Sequence, residues 1–165
     1  MSKSPYNHGH WGQCLPRVSC LCLTYGRPHL VGEAIESFLR QDYCGEKELI
    51  VLNDHPEIPL KLPQLPGAHL VNRSRRYASI GLKRNAAVDL SCGEVLFPWD
   101  DDDISLPWRL SVTLERMKNR SYFKPSNLWW WTGNDVEHHR GVMAHAMCAY
   151  SRALFDELEG YTDFN

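Results

Sequence analysis

The runs "VSCLCLTY" (Val18 to Tyr25), "KELIVLND" (Lys47 to Asp54) and "EVLFPW" (Glu94 to Trp99) constrain the fold more than anything else in the chain. Each is short and mostly apolar, and each gives way to a polar group. Apolar runs of that length without alternation read as strands buried on both faces, the pattern of a parallel sheet. Helical spacing fills the intervals. Leu30, Val31, Ala34, Ile35, Phe38 and Leu39 recur on one face after Pro28, which suits a first helical turn. "SIGLKRNAAVDLSCGE" (Ser79 to Glu94) predicts a second helix ending near Cys92-Gly93, with glycine as its C-cap. Leu110, Leu114 and Met117 mark a third helix after Pro107. Alternating strands and helices predict an α/β fold with a largely parallel sheet. The proline-rich "HPEIPLKLPQLPGA" (His55 to Ala68) must be loop. His69 to Val71 reads as a short third strand, "NLWWWTG" as a later one and "SRALFDEL" as a short helix.

The chain has 165 residues, 43% hydrophobic and 23% charged, enough for one compact domain with a proper core. Its net charge of −2 argues against nucleic acid as a partner. It has no run of apolar residues long enough to span a bilayer. Residues 1–16 lack the apolar centre of a signal peptide and are expected to be a flexible leader before a domain over 17–165. Six cysteines form no C-x-x-C pair, and their spacing suggests neither a zinc knuckle nor a disulfide framework. Cys20 and Cys22, two apart, are expected to share one strand face as small core residues. This usage suggests a reducing, cytoplasmic setting.

Three polar groups, "TYGR" (Thr24 to Arg27), "ND" (Asn53 and Asp54) and "DDDD" (Asp100 to Asp103), each follow a predicted strand. In a parallel sheet the carboxyl ends of the strands lie along one edge, where ligands bind. Residues distant in sequence are thereby expected in one crevice. Two like charges about 4 Å apart repel by about 4 kcal/mol at an effective dielectric of 20, so four adjacent aspartates need a reason. Closely spaced carboxylates offer hard oxygen ligands to Mg²⁺ or Mn²⁺. Such a cation neutralises a diphosphate and supports its departure. Alternatively the acids only begin the following helix, although one would suffice for that and Ser105 could cap it. Neither a P-loop nor a G-x-G-x-x-G motif is present. Phosphate neutralisation then falls to the cation and to Arg73, Arg75, Arg76, Lys83 and Arg84. The first three read equally well as a solvated basic face, whereas Lys83 and Arg84 lie on the helix leading to the acidic strand.

The sequence resembles the family 2 glycosyltransferases of the GT-A fold. "VSCLCLTYGRP" is similar to that family's first strand and loop, and "LVGEAIESFLRQDY" to the helix that follows. "ELIVLNDHPE" resembles its second strand, with His55 in place of a glycine. "GLKRNAAVDLSCGEVLFPWDDDDISLPWRL" resembles its Ala-Arg-Asn and D-x-D-D stretch. The likeness covers about residues 17 to 118 and continues weakly through "CAYSRALFDELEGYTDF". It implies a Rossmann-like three-layer αβα sandwich. Thr24, Tyr25 and Arg27 would line a nucleotide pocket, and Asp54 would accept a hydrogen bond from uracil or an equivalent base. Arg84 would lie near the diphosphate. Asp100 and Asp102 match the D-x-D pair, the first nearer the ribose and the second on the metal; Asp100, Asp102 and Asp103 are the candidate metal ligands. The implied reaction is inverting transfer from a nucleotide-diphosphate sugar, expected to be UDP-linked, to a hydroxyl of a saccharide, lipid or other acceptor, with Mn²⁺ or Mg²⁺.

One departure from the family pattern matters. Its general base is an Asp or Glu shortly after a segment like "EGYTDFN", and this sequence stops at Asn165. No catalytic base is assigned; Asp135 and Glu137 lie in the right portion but match by no position. Two readings stay open: a transferase, or a non-catalytic nucleotide-sugar-binding or interaction module retaining the donor half. A nucleotidyltransferase is disfavoured, since "TYGRPH" lacks the Gly-rich basic loop such enzymes carry. "WWW" (Trp129 to Trp131) could stack on an acceptor sugar, though strand alternation should turn at least one ring into the core. His138, His139 and His145 include a candidate third metal ligand, with His8 and His10 weaker ones.

Overall fold

A computed structural model describes residues 15–118, 120–142 and 144–162. Most of the expected leader, with His8, His10 and Cys14, therefore lies outside the described residues. Strands β1 (Val18–Thr24), β2 (Lys47–Asn53), β3 (Ala68–Asn72) and β4 (Val95–Pro98) alternate with helices α1 (Pro28–Leu39), α2 (Ile80–Asp89) and α3 (Arg109–Met117). Then come β5 (Tyr122–Phe123), β6 (Asn127–Trp131), β7 (Val136–Arg140), a 3₁₀ turn (His145–Met147), β8 (Ala149–Ser151) and α4 (Arg152–Glu157).

Six strands form one sheet in the order β3-β2-β1-β4-β8-β5. Its first four strands are parallel, and β8 runs antiparallel to both β4 and β5. The unalternating runs are explained by two cores, one on each face. Cys20, Cys22, Val51 and Phe97 pack with Phe38 of α1 and with Leu110 and Leu114 of α3. Leu21, Ile50, Leu52 and Leu96 pack with Ala87 and Val88 of α2. Helices on both sides of a mostly parallel sheet make the three layers that the family resemblance implied, and Cys20 and Cys22 share a face as expected.

Three expectations fail. Ser105 does not cap α3, whose N-cap is Trp108 with no side-chain hydrogen bond. Helix α2 begins where Ser79 caps it, accepting the Leu82 N–H, but ends at Asp89 with Leu90 in right-handed geometry at its C-cap. Gly93 is instead wedged against β1: its N–H donates to Ser19 Oγ at 2.7 Å, and Ser19 Oγ donates to Glu48 at 2.6 Å. A Cβ there would come within 2.5 Å of the Ser19 nitrogen, so the glycine serves close backbone approach. The tryptophans also depart from expectation. β6 and β7 form a separate two-stranded ribbon, and Trp129, Trp130 and Trp131 are 67, 61 and 68% exposed. Alternation still operates, but a ribbon outside the central sheet has no core side for a ring to enter.

Candidate functional site

Strands β1 and β2 end side by side, because their register pairs Thr24 with Asn53. Asn53 is buried, and its side chain fixes the surroundings. Its Oδ1 accepts the N–H groups of Gly26 at 3.0 Å and His55 at 3.2 Å, while its Nδ2 donates to Asn72 Oδ1 and the Ile58 carbonyl, both at 2.8 Å. Gly26 has φ +62°, and a Cβ there would lie 2.8 Å from the His55 ring, so this turn requires glycine. The Tyr25 ring packs against His55 at 4.5 Å between centroids, with the Arg76 guanidinium 4.5 Å over it. Arg73 and Arg75 are exposed nearby in sequence.

Below this edge lies a buried pair. Lys83 Nζ reaches from α2 to Asp54 Oδ1 and donates to the Thr24 carbonyl at 2.6 Å. Asp54 Oδ2 accepts the Tyr77 N–H at 3.0 Å. Lys83 is thus committed inside the protein and is not an open phosphate ligand. Thr24 Oγ1 is buried without a hydrogen-bond partner.

The acid turn follows β4. Asp101 is 1% exposed, and its Oδ1 accepts from Arg27 Nη2. Arg27 Nη1 donates to Asp102 Oδ2 at 3.1 Å, which ties the "TYGR" loop to the turn. Asp101 Oδ2 is buried with no hydrogen-bond partner. Partial burial, and then repulsion from neighbouring aspartates, raises the Asp100 and Asp103 carboxyls above their ordinary range. Arg109 is buried behind the turn. It donates to Ser105 Oγ and the Pro98 carbonyl, both at 2.7 Å, and to the Ala146 carbonyl, with its guanidinium 4.6 Å over Trp99. Burial works against its charge, and Asp103 and Asp100 are among the groups that favour it.

Arg84 turns the other way from Lys83. It lies 5.3 Å over the Tyr161 ring and lines a small cleft with Asp100, His145, Tyr150 and Tyr161. His145 Nε2 is 3.0 Å from Tyr161 Oη, which donates to Tyr150 Oη at 2.8 Å. His138 instead stacks on Trp129, and His139 pairs with Glu137 at 3.1 Å on the ribbon, where Asp135 is also exposed.

These loops can be compared with known proteins. The family model "Glycosyl transferase family 2" matches residues 19–128, about two thirds of the chain. The chain belongs to glycosyl transferase family 2. No curated protein gives a match. Among solved structures, the mannosyltransferase PcManGT from Pyrobaculum calidifontis, in complex with GDP-Man and Mn²⁺, aligns with TM-score 0.68 and 16% identity. It covers 91% of this chain and 48% of that one. S. aureus TarS 1-349 aligns with TM-score 0.63 and 15% identity, over 88% of this chain and 50% of that one. The same TarS fragment in complex with UDP gives 0.59 and 18%, over 88% and 49%. This family 2 chain has their GT-A fold and spans about half the length of those structures.

Among the described residues, no three His, Cys, Asp or Glu side chains are gathered into a metal cage. The donor set of the acid turn nevertheless fits a hard cation. It is all carboxylate oxygen, and Asp101 Oδ2 is buried without a partner. Mg²⁺ in phosphate sites takes only one or two carboxylates, with substrate oxygens and water completing its shell. Sequence reasoning missed two parts of the site. Asp101 received no role of its own, because its burial and its contact with Arg27 arise from tertiary structure. Arg109 carried one signal, a cation six positions after Asp103 in an otherwise acidic and apolar segment.

Proposed function

We propose that this chain is the donor-binding part of an inverting glycosyltransferase that uses a UDP-linked sugar with Mn²⁺ or Mg²⁺. The observation that carries the reading is the Arg27 fork, which bonds the first loop to Asp101 and Asp102 of the acid turn. It puts a phosphate-binding type of side chain beside metal-binding ones at the carboxyl edge of the sheet. A mannosyltransferase bound to GDP-Man and Mn²⁺, and TarS bound to UDP, both of this fold, support a nucleotide diphosphate as the ligand.

In this reading Tyr25, 37% exposed, lines the nucleotide pocket with Thr24 and Arg27. Asp54, held ready by Lys83 and the Tyr77 amide, accepts from the N–H of the base. Asp100 would face the ribose, Asp102 and Asp103 would hold the cation, and Arg84 would face the diphosphate from the cleft side. When bound, the cation neutralises the diphosphate as it leaves. An acceptor hydroxyl of a saccharide, lipid or other molecule would attack the anomeric carbon as the bond from that carbon to the diphosphate oxygen breaks, its proton passing to a general base that the residues named above do not supply. The exposed tryptophans of the ribbon offer flat faces suited to a sugar acceptor.

One observation favours the alternative, a non-catalytic donor-binding module. Among the described residues lining the cleft, Asp100 is the only carboxylate, and it is already assigned to the ribose. Titration calorimetry with UDP and Mn²⁺ tests the main reading, with GDP in parallel to test the base. Binding that Asp102→Ala abolishes is the expected result. No binding, or binding indifferent to that substitution, overturns it. Sugar transfer by this 165-residue chain overturns the alternative.

A further inference from the structure

Arg27 stands where an external cation would have to bind. Its two terminal nitrogens meet unlike partners: Nη2 goes to Asp101, whose side chain is 1% exposed, and Nη1 to Asp102, whose side chain is 54% exposed. The Arg27 side chain is itself 40% exposed and so has room to turn. The buried contact is costly to open, because it would leave a desolvated carboxylate without its counter-charge. The exposed contact is weak, as solvent-screened ion pairs are. Asp101 Oδ2 has no hydrogen-bond partner, so this carboxylate has spare capacity to keep the guanidinium while its other half lets go.

We propose that Arg27 is a resident counter-ion of the acid turn: a divalent cation displaces it from Asp102, and the released half of the fork takes a phosphate of the donor, with Asp101 as the pivot. This rests on the donor-binding reading above and adds an order to it. Arg27 opposes the metal alone and favours the metal together with the diphosphate. The free chain therefore does not accumulate tightly held metal, and each ligand helps the other. A guanidinium suits the exchange because its planar fork can serve a carboxylate and a phosphate at once.

The test is a crossover between two affinities. Mn²⁺ alone is titrated into the wild-type chain, Arg27→Ala and Arg27→Lys, with free Mn²⁺ read by electron paramagnetic resonance. UDP is then titrated by calorimetry at saturating Mn²⁺. Arg27→Ala is expected to bind Mn²⁺ alone about two- to fivefold tighter, the worth of one exposed ion pair. It is expected to bind UDP at least about tenfold weaker, the worth of one charge-assisted hydrogen bond. Arg27→Lys keeps the charge without the fork, so it matches wild type on Mn²⁺ and stays weaker on UDP. Arg27→Gln, whose amide can still donate to Asp101, covers the case in which the alanine chain fails to fold. Arg27→Ala and Arg27→Gln chains that bind Mn²⁺ no tighter than wild type, or that weaken both ligands together as a structural lesion would, overturn the proposal. If wild type binds UDP with Mn²⁺ but the crossover is missing, only this inference falls. If wild type binds neither, the donor-binding reading falls with it.

Discussion

Lys83 leaves α2 toward the sheet and ends against Asp54 and the Thr24 carbonyl, while Arg84 turns toward Tyr161 and the cleft holding Asp100. Removing each charge should therefore do different things. Lys83→Met strands a buried carboxylate and is expected to cost about 3 kcal/mol of stability in urea unfolding. Arg84→Met is expected to stay within about 1 kcal/mol of wild type while weakening UDP binding. Equal stabilities for the two variants would refute the assignment. His145 gives a pH prediction. Burial, with Arg84 and Lys124 adding to it, pushes this imidazole down from 6.5 to about 4. The unfolded chain thus takes up the proton first. Its contribution to stability is complete above 6.5, is lost as pH falls from there to about 4, and changes no further below. In thermal melts over that range, wild type should lose more than His145→Gln, whose amide can still meet Tyr161. At this scale the sequence is a partial guide. Residue types at strand ends announce a polar edge, but α2 is too sparsely apolar to show which of Lys83 and Arg84 faces inward. Asp101 shares Arg27 with Asp102 but is 1% exposed where the Asp102 side chain is 54% exposed, a difference that no pattern within "DDDD" encodes.

Strands and helices of the first two thirds were legible because burial on both faces suppresses alternation, and helical spacing fills the gaps. The C-terminal end of α2 was not, since a glycine that permits close approach looks the same in sequence as one that caps a helix. Gly93→Ala separates these roles. A C-cap replacement costs little when the backbone φ is ordinary. A Cβ pressed against the Ser19 backbone must instead push β1 away and break the bonds among Gly93, Ser19 and Glu48. Overpacking of this kind costs about 1–3 kcal/mol, and a value in that range is expected from chemical denaturation. A neutral result would return Gly93 to a passive role. The ribbon makes the opposite prediction. Its strands pair only with each other, with Trp129 opposite His138 and Trp131 opposite Val136. Three exposed aromatic rings there contribute little to the core. Replacing Trp129, Trp130 and Trp131 together by serine is expected to shift unfolding by less than about 1 kcal/mol. A larger loss would mean that the ribbon supports the fold, which the exposure of its rings speaks against.

At the scale of the molecule, the sheet order explains why one edge collects the chemistry. β1 lies between β2 and β4, so its loop touches both neighbours: Gly26 through Asn53, and Arg27 through Asp101 and Asp102. That convergence was readable from strand ends alone, because parallel strands must present their carboxyl ends together. The antiparallel β8 and the 3₁₀ turn beside β4 were not readable; β8 pairs with β4 across more than 50 residues of chain, and Arg109 meets the Ala146 carbonyl of the 3₁₀ turn across 37. A ligand bridging the first loop and the acid turn would brace loops from β1, β2 and β4 at once, so binding should appear as global stability. A ligand at about 100 times its Kd stabilises by about 2.7 kcal/mol. In a domain of this size each kcal/mol moves the melting temperature by about 2–4 °C. UDP with Mn²⁺ at that saturation should therefore raise Tm by about 5–11 °C, with a single cooperative transition in calorimetry. Asp102→Asn, which keeps the shape of the exposed side chain and removes its charge, should melt near wild type without ligand and lose most of the shift. A shift of the same size in Asp102→Asn would place the nucleotide away from the acid turn. A second, unshifted transition would mean that the edge and the rest of the sheet do not unfold as one body.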